Sequence, residues 1–130
     1  MKEKLDGLRA FRDYDNVPRD IFSTLKMTPP PECPQPVVRT HPETGRKAIY
    51  INPAYTTRIE GLAEGESEAL KKRIFSHCMG DRFRLRYKWR AGDLLVWDNA
   101  ALVHSATTKT LDPAEHRTIW RVTVSGGPAF

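Results

Sequence analysis

Two hydrophobic rhythms divide this chain. From Glu64 to Cys78 the apolar residues Leu70, Ile74 and Cys78 recur at four-residue steps with Phe75 beside them, which predicts a helix with one apolar stripe. Glu64, Glu66 and Glu68 crowd its first turns, and Lys71, Lys72, Arg73 and His77 follow, a polarity that complements the helix dipole. Gly80 ends it. Beyond that point the period changes to two. Arg82, Arg84, Arg86, Lys88 and Arg90 alternate with Phe83, Leu85, Tyr87 and Trp89, predicting a half-buried strand over 82–89 with its long basic side chains on the wet face. Further strands are predicted over 94–97, in a short run ending at His104, and over 117–124. A turn at Ala91-Gly92-Asp93, a tight corner at Asp98-Asn99 and a polar loop over 105–116 separate them.

The first half is less regular. Residues 4–26 read as one or two helices around Leu8, Phe11, Ile21, Phe22 and Leu25. The proline-rich connector 29–36 can be neither helix nor central strand, because proline lacks the amide donor that both require. A short strand over 37–40, a turn over His41-Pro42-Glu43-Thr44-Gly45 and a strand over 47–52 make a hairpin, with Pro and Gly where turn geometry wants them. A loop is expected over 53–61, with Tyr55 and Arg58 its largest side chains. Many short strands and few helices predict a mainly β fold, an antiparallel sandwich or barrel.

Composition narrows the class. A chain of 130 residues with 39% hydrophobic and 28% charged residues is one domain or part of one, able to bury a modest core. No apolar stretch approaches the roughly 20 residues that cross a bilayer, and the first residues lack the apolar run of a signal peptide. Cys33 and Cys78 share no metal-like spacing and make no disulfide framework, so a reducing cytoplasm is the expected setting. The net charge of +5 permits acidic partners without requiring them. A solvated basic face over 82–90 is preferred to a nucleic-acid-binding ribbon, which would announce itself by strongly salt-dependent binding.

The residues with chemical promise lie between Trp97 and Val124. On a strand, side chains two and four apart share a face, so Arg117, Ile119, Arg121 and Thr123 point one way and Thr118, Trp120, Val122 and Val124 the other. Two arginines on one face, next to a strand ending in His104, suggest an anion pocket beside a metal. Asp98 and Asn99 are placed to orient His104 from behind. The alternative is a solvated strand face with a structural histidine. The sequence alone leaves open which face is inside.

An ordered series of segments carries a resemblance. It comprises Val37-Val38-Arg39-Thr40-His41-Pro42-Glu43-Thr44-Gly45-Arg46-Lys47, Tyr50-Ile51-Asn52, Thr56-Thr57-Arg58-Ile59, Trp89-Arg90-Ala91-Gly92-Asp93, Trp97-Asp98-Asn99, His104 and His116-Arg117 with Arg121. From about Leu5 to Phe130 the chain resembles the C-terminal part of the taurine dioxygenase (TauD/TfdA-like) family of iron(II)- and 2-oxoglutarate-dependent oxygenases. The resemblance implies a double-stranded β-helix, or jelly roll. Residues 1–36 would be a lead-in and connector, and 37–130 half of the jelly roll. It implies that His104 is the distal iron-ligating histidine, that Arg117 grips the far carboxylate of 2-oxoglutarate, that Arg121 meets the substrate's anionic group, and that Tyr55 lines the substrate pocket. Arginine suits both anion roles, since its planar fork makes two parallel hydrogen bonds and keeps its charge. Four residues along one strand span roughly 13 Å, enough to hold two separate anions.

One departure carries weight. Non-haem iron oxygenases of this kind hold the metal with two histidines and one carboxylate, and in the family the first histidine and the carboxylate form a His-x-Asp motif upstream of everything matched here. This chain has none. Its His41-Pro42-Glu43 triplet corresponds to the turn segment, not to the ligand motif. The expectation is therefore a partial domain, inactive alone, of an enzyme that hydroxylates a small, anionic, sulfonate-like substrate with release of succinate and carbon dioxide. The alternatives are a non-enzymatic truncated paralogue that pairs with a full-length relative, or with itself, and a basic β-ribbon that binds nucleic acid.

Overall fold

The computed structural model describes residues 2–13, 32–106, 112, 114 and 118–124. Expectations that fall on 14–31, 115–117 and 125–130, among them the second lead-in helix and Arg117, lie outside the described residues.

A one-turn helix, α1 (Lys2–Leu5), leads into strand β1 (Arg9–Arg12). Strand β1 is the middle of a three-stranded antiparallel sheet, flanked by β2 (Cys33–Pro36) and β5 (Thr56–Ile59). Ala10 faces Gln35 on one side and Ile59 on the other, and the β1–β5 register shifts between Ala10 and Arg12. The connector prolines fit this plan. Pro34 and Pro36 sit in β2 at the sheet edge, where one row of amides needs no partner. Two expectations are corrected here. The lead-in contains a strand at 9–12 where helix was expected, and 56–59 is a strand and not part of a loop. Both segments are too short for a periodicity to declare itself, and each is extended because it pairs with the other.

Strands β3 (Val38–Thr40) and β4 (Lys47–Ile49) form the expected hairpin. His41 and Arg46 close its loop, with the His41 amide donating to the Arg46 carbonyl at 2.8 Å. Gly45 has φ of 67°, a left-handed turn conformation that only glycine adopts without strain. Helix α2 (Glu64–Cys78) has the predicted bounds. Its inward face presents Ser67, Lys71 and Ile74, so a lysine stands among the buried residues. Lys71 tolerates burial because its ammonium donates to the Thr57 carbonyl and meets Glu68 Oε1 at 2.5 Å.

The core consists of Leu5, Ala10, Val37, Ile51, Ile59 and Ile74, with Leu8, Val38, Ile49, Leu62, Leu70, Phe75 and Cys78 packed around it. Among the described residues, every buried one lies at or before Ile74.

After α2 and a short 3-10 turn (Asp81–Phe83), no strand is assigned among the described residues. Among the described residues of the strands expected over 82–89, 94–97, up to His104 and over 117–124, none is paired into a sheet. The alternating row of 82–89 is not half-buried either, since Leu85 is 86% exposed and its basic neighbours are exposed as well. The physical reason is simple. Alternation specifies which face of a strand is apolar, but a strand needs a neighbour to take up its amides and a second layer to cover that face. Local turns do form where expected. Asp93 Oδ2 accepts from the Arg90 amide and the Tyr87 hydroxyl at 2.8 and 2.9 Å, with Gly92 at φ 89° between them. No helix among the described residues is long and apolar enough to cross a membrane. The described elements make a mainly β arrangement with two helices.

Candidate functional site

Asp98 and His41 join the second half of the chain to the β3–β4 hairpin. Asp98 Oδ2 lies 2.5 Å from His41 Nε2, linking positions 57 apart in sequence. His41 Nδ1 accepts the Glu43 and Thr44 amides at 3.2 Å each, so the ring proton belongs on Nε2 and is donated to Asp98. The other carboxylate oxygen, Oδ1, accepts the Ala100 amide at 2.8 Å. These bonds, the Ala100 amide first and the His41 imidazole next, hold the Asp98 carboxyl below the usual carboxylate range, with Arg39 adding a smaller favourable field.

Asp98 opens the predicted corner. Its carbonyl accepts the Ala101 and Leu102 amides at 3.3 and 3.0 Å. The chain thereby folds back, and the Trp97 indole lies 4.8 Å from the His104 ring, tilted by 55°. Trp97 Nε1 donates to Asn99 Oδ1 at 2.9 Å, which fixes the indole. Asp98 and Asn99 therefore bond to His41 and Trp97, and Trp97 is what touches His104.

The remaining candidates are more dispersed. His104 and Arg121 are exposed, and Arg121 makes no hydrogen bond or ion pair with another described residue. Tyr55 is half-buried in the turn before β5, where its amide donates to the Asn52 carbonyl and its carbonyl accepts the Asp13 amide. Both rows of 119–124 are open, with Trp120, Val122 and Val124 exposed along with Arg121, so neither face of that segment is an interior one. Among the described residues no group of three or more His, Cys, Asp or Glu side chains is placed to hold a metal ion. A single exposed imidazole does not fit a complete iron site.

An arginine pair that the sequence did not single out surrounds Tyr50. Arg12 lies 4.2 Å and Arg39 5.1 Å from its ring centroid, and Arg12 also donates to the Tyr50 carbonyl. Arg39 is buried, and it shares a face of the hairpin with His41, two residues on. Strand alternation through 39 and 41 was the available signal; their convergence with residue 98 was not.

Comparison with known proteins defines the class. A profile of the Taurine catabolism dioxygenase TauD, TfdA family matches residues 1–123. The chain belongs to that family, whose members use iron(II) and 2-oxoglutarate. Over 130 aligned residues it is 32% identical to the alpha-ketoglutarate-dependent 2,4-dichlorophenoxyacetate dioxygenase of a Burkholderia species, covering 96% of this chain and 42% of that one. It is 40% identical over 111 residues to the alpha-ketoglutarate-dependent dioxygenase cnsP of Penicillium expansum, covering 82% and 30%. Among solved structures, a taurine dioxygenase from Burkholderia xenovorans superposes with a TM-score of 0.56 at 33% identity, covering 70% of this chain and 29% of the other. The chain thus spans less than half the length of each of these relatives.

Proposed function

We propose that this chain is the part of a 2-oxoglutarate-dependent oxygenase domain that supplies the distal metal-binding histidine and the two anion-binding arginines, within a double-stranded β-helix completed by other residues. The observation that carries this reading is the family match over residues 1–123, which runs through His104, Arg117 and Arg121 in order. His104 would provide one imidazole ligand to iron(II), and the metal would supply the oxygen chemistry when bound. Arg117 would grip the distal carboxylate of 2-oxoglutarate through two parallel hydrogen bonds. Arg121, four positions along, would meet the anionic group of a small substrate, with Tyr55 against its carbon skeleton. Taurine and 2,4-dichlorophenoxyacetate, the compounds in two relatives' names, are both small organic anions, which supports an anionic and sulfonate-like substrate class.

The test compares the chain alone with a fusion to the upstream, His-x-Asp-bearing half of a family member. Each is given iron(II), 2-oxoglutarate and a panel of sulfonates and aryloxy acids. The chain alone is expected to release no succinate, and the fusion to release it. In the fusion, Arg117→Ala should raise the 2-oxoglutarate requirement and leave iron content unchanged. Succinate release by the chain alone overturns its incompleteness, and a folded fusion that binds no 2-oxoglutarate overturns the oxygenase reading.

A second reading has its own support. Leu85, Leu94, Val96, Trp120, Val122 and Val124 are each at least 83% exposed, large apolar side chains that a partner would remove from water. A truncated paralogue that pairs with a full-length relative would cover them. Co-purification of the two from a co-expressing cell supports this reading, and a strictly monomeric chain beside an unbound relative counts against it.

A further inference from the structure

The segment that carries His104 has no strand pairing among the described residues, so its position depends on individual contacts. Those contacts form a continuous path. The hairpin loop of β3 and β4 holds the His41 ring, whose side chain is only 15% exposed. Nδ1 is occupied by the Glu43 and Thr44 amides, and Nε2 donates to Asp98. Asp98 in turn takes the Ala100 amide on its side chain and the Ala101 and Leu102 amides on its carbonyl, which sets the corner. The corner returns the chain so that Trp97, held by Asn99, packs on His104.

We infer that His41 is a positioning residue for His104, acting through Asp98 and the Trp97 indole. The inference rests on the reading of His104 as a metal-binding residue for its significance, but not for its geometry. His41 bonds to Asp98 and its own turn, and the ring against His104 is that of Trp97. Its task is to tie a segment without sheet partners to a hairpin that has them. Histidine suits this because one ring serves two directions at once, accepting from its own turn on one nitrogen and donating across 57 positions from the other. Arg39, on the same face of the hairpin, reinforces the tie by favouring the charged form of Asp98.

A purely local role, as the cap of the hairpin turn, is separable from this one by two substitutions. His41→Asn keeps an acceptor near the Nδ1 position for the turn amides but loses the donor to Asp98. His41→Gln reaches the Nε2 position with an amide donor but loses the turn acceptor. In the full 130-residue chain, NMR reads the His104 Cε1–H shift, moved by the ring current of Trp97, together with the Trp97–His104 nuclear Overhauser effect. Both signals should persist in His41→Gln and disappear in His41→Asn, while the Ala48 and Ile49 amides report an intact hairpin. Asp98→Asn keeps an oxygen for the Ala100 amide but sets an amide NH2 against the His41 Nε2 donor, so it breaks the link while leaving the His41 turn bonds in place, and it should abolish the same two signals. Retention of the His104 signals in His41→Asn or in Asp98→Asn overturns the inference. If both His41 variants disturb the hairpin, Asp98→Asn decides. None of these measurements involves iron or 2-oxoglutarate. A fusion that binds no 2-oxoglutarate would end the oxygenase reading and leave the coupling of His41 to His104 standing.

Discussion

Ser67 Oγ accepts the backbone amide of Ile59 at 2.8 Å, inside the core, where Ser67 is 1% exposed. Through this bond helix α2 takes up an amide of strand β5, so the helix and the sheet share one hydrogen-bonding unit. A buried amide with no acceptor is costly, which makes the serine hydroxyl structural.

Ser67→Ala should therefore destabilise the folded first half by about 1–3 kcal/mol, the penalty of stranding a buried donor. Urea unfolding followed by circular dichroism measures it. Ser67→Thr should retain much of the lost stability if the extra methyl is accommodated, and equal loss in both variants would argue for packing over hydrogen bonding.

Lys71 makes the companion contact one helical turn later, donating to the Thr57 carbonyl and pairing with Glu68. Lys71→Ala should cost about 1.5–3 kcal/mol, because the hydrogen bond is to a charged group in a buried place. Lys71→Met, which keeps the hydrocarbon stem, should separate the packing contribution from the polar one in the same unfolding measurement.

Acid should loosen the Asp98 contact in a defined direction. Its carboxyl is held below the ordinary value, so whatever the ionised group contributes is present above the unfolded-state value of about 3.9 and lost as pH falls through the lower folded value. The Ala100 amide shift should stay constant from pH 7 down to about 5 and move only in the more acidic range. Asp98→Asn should remove that transition, and a transition surviving the substitution would assign it to another group.

The two thiols should differ in reactivity. Burial raises the Cys78 thiol above its ordinary value, and Cys78 is half-covered on α2, whereas Cys33 is exposed at the start of β2. Under native conditions at pH 7.5, Ellman's reagent should label Cys33 well before Cys78, with the difference vanishing in denaturant. Equal native rates would show that α2 does not shield Cys78.

Where a segment carried its own structural instructions, the sequence was readable. Helix α2 could be bounded because a four-residue apolar step, an acidic start and Gly80 all agree. The hairpin could be placed because Pro42 and Gly45 demand a turn and strand-formers flank them. The short strands at 9–12 and 56–59 were missed because four residues hold no legible period, and only their pairing makes them strands. The alternation over 82–89 was read correctly as a pattern but not as a structure, because no neighbouring strand among the described residues accepts it. Of the candidate site, His104 and Asp98 were candidates by residue type and spacing alone. That Asp98 bonds to His41, and that Trp97 is the residue against His104, depend on a loop and a corner meeting in space.

By itself, then, the sequence determined the local elements whose causes are local: the period of α2, the turn chemistry of the hairpin, the Asp98 corner, and the family to which the ordered motifs belong. Only tertiary structure decided that Lys71 and Arg39 are buried, that β1 sits between two strands distant in sequence, and that His41 reaches Asp98. Each of those requires groups far apart along the chain to satisfy one another's hydrogen bonds or charges, and no window of neighbouring residues contains both partners.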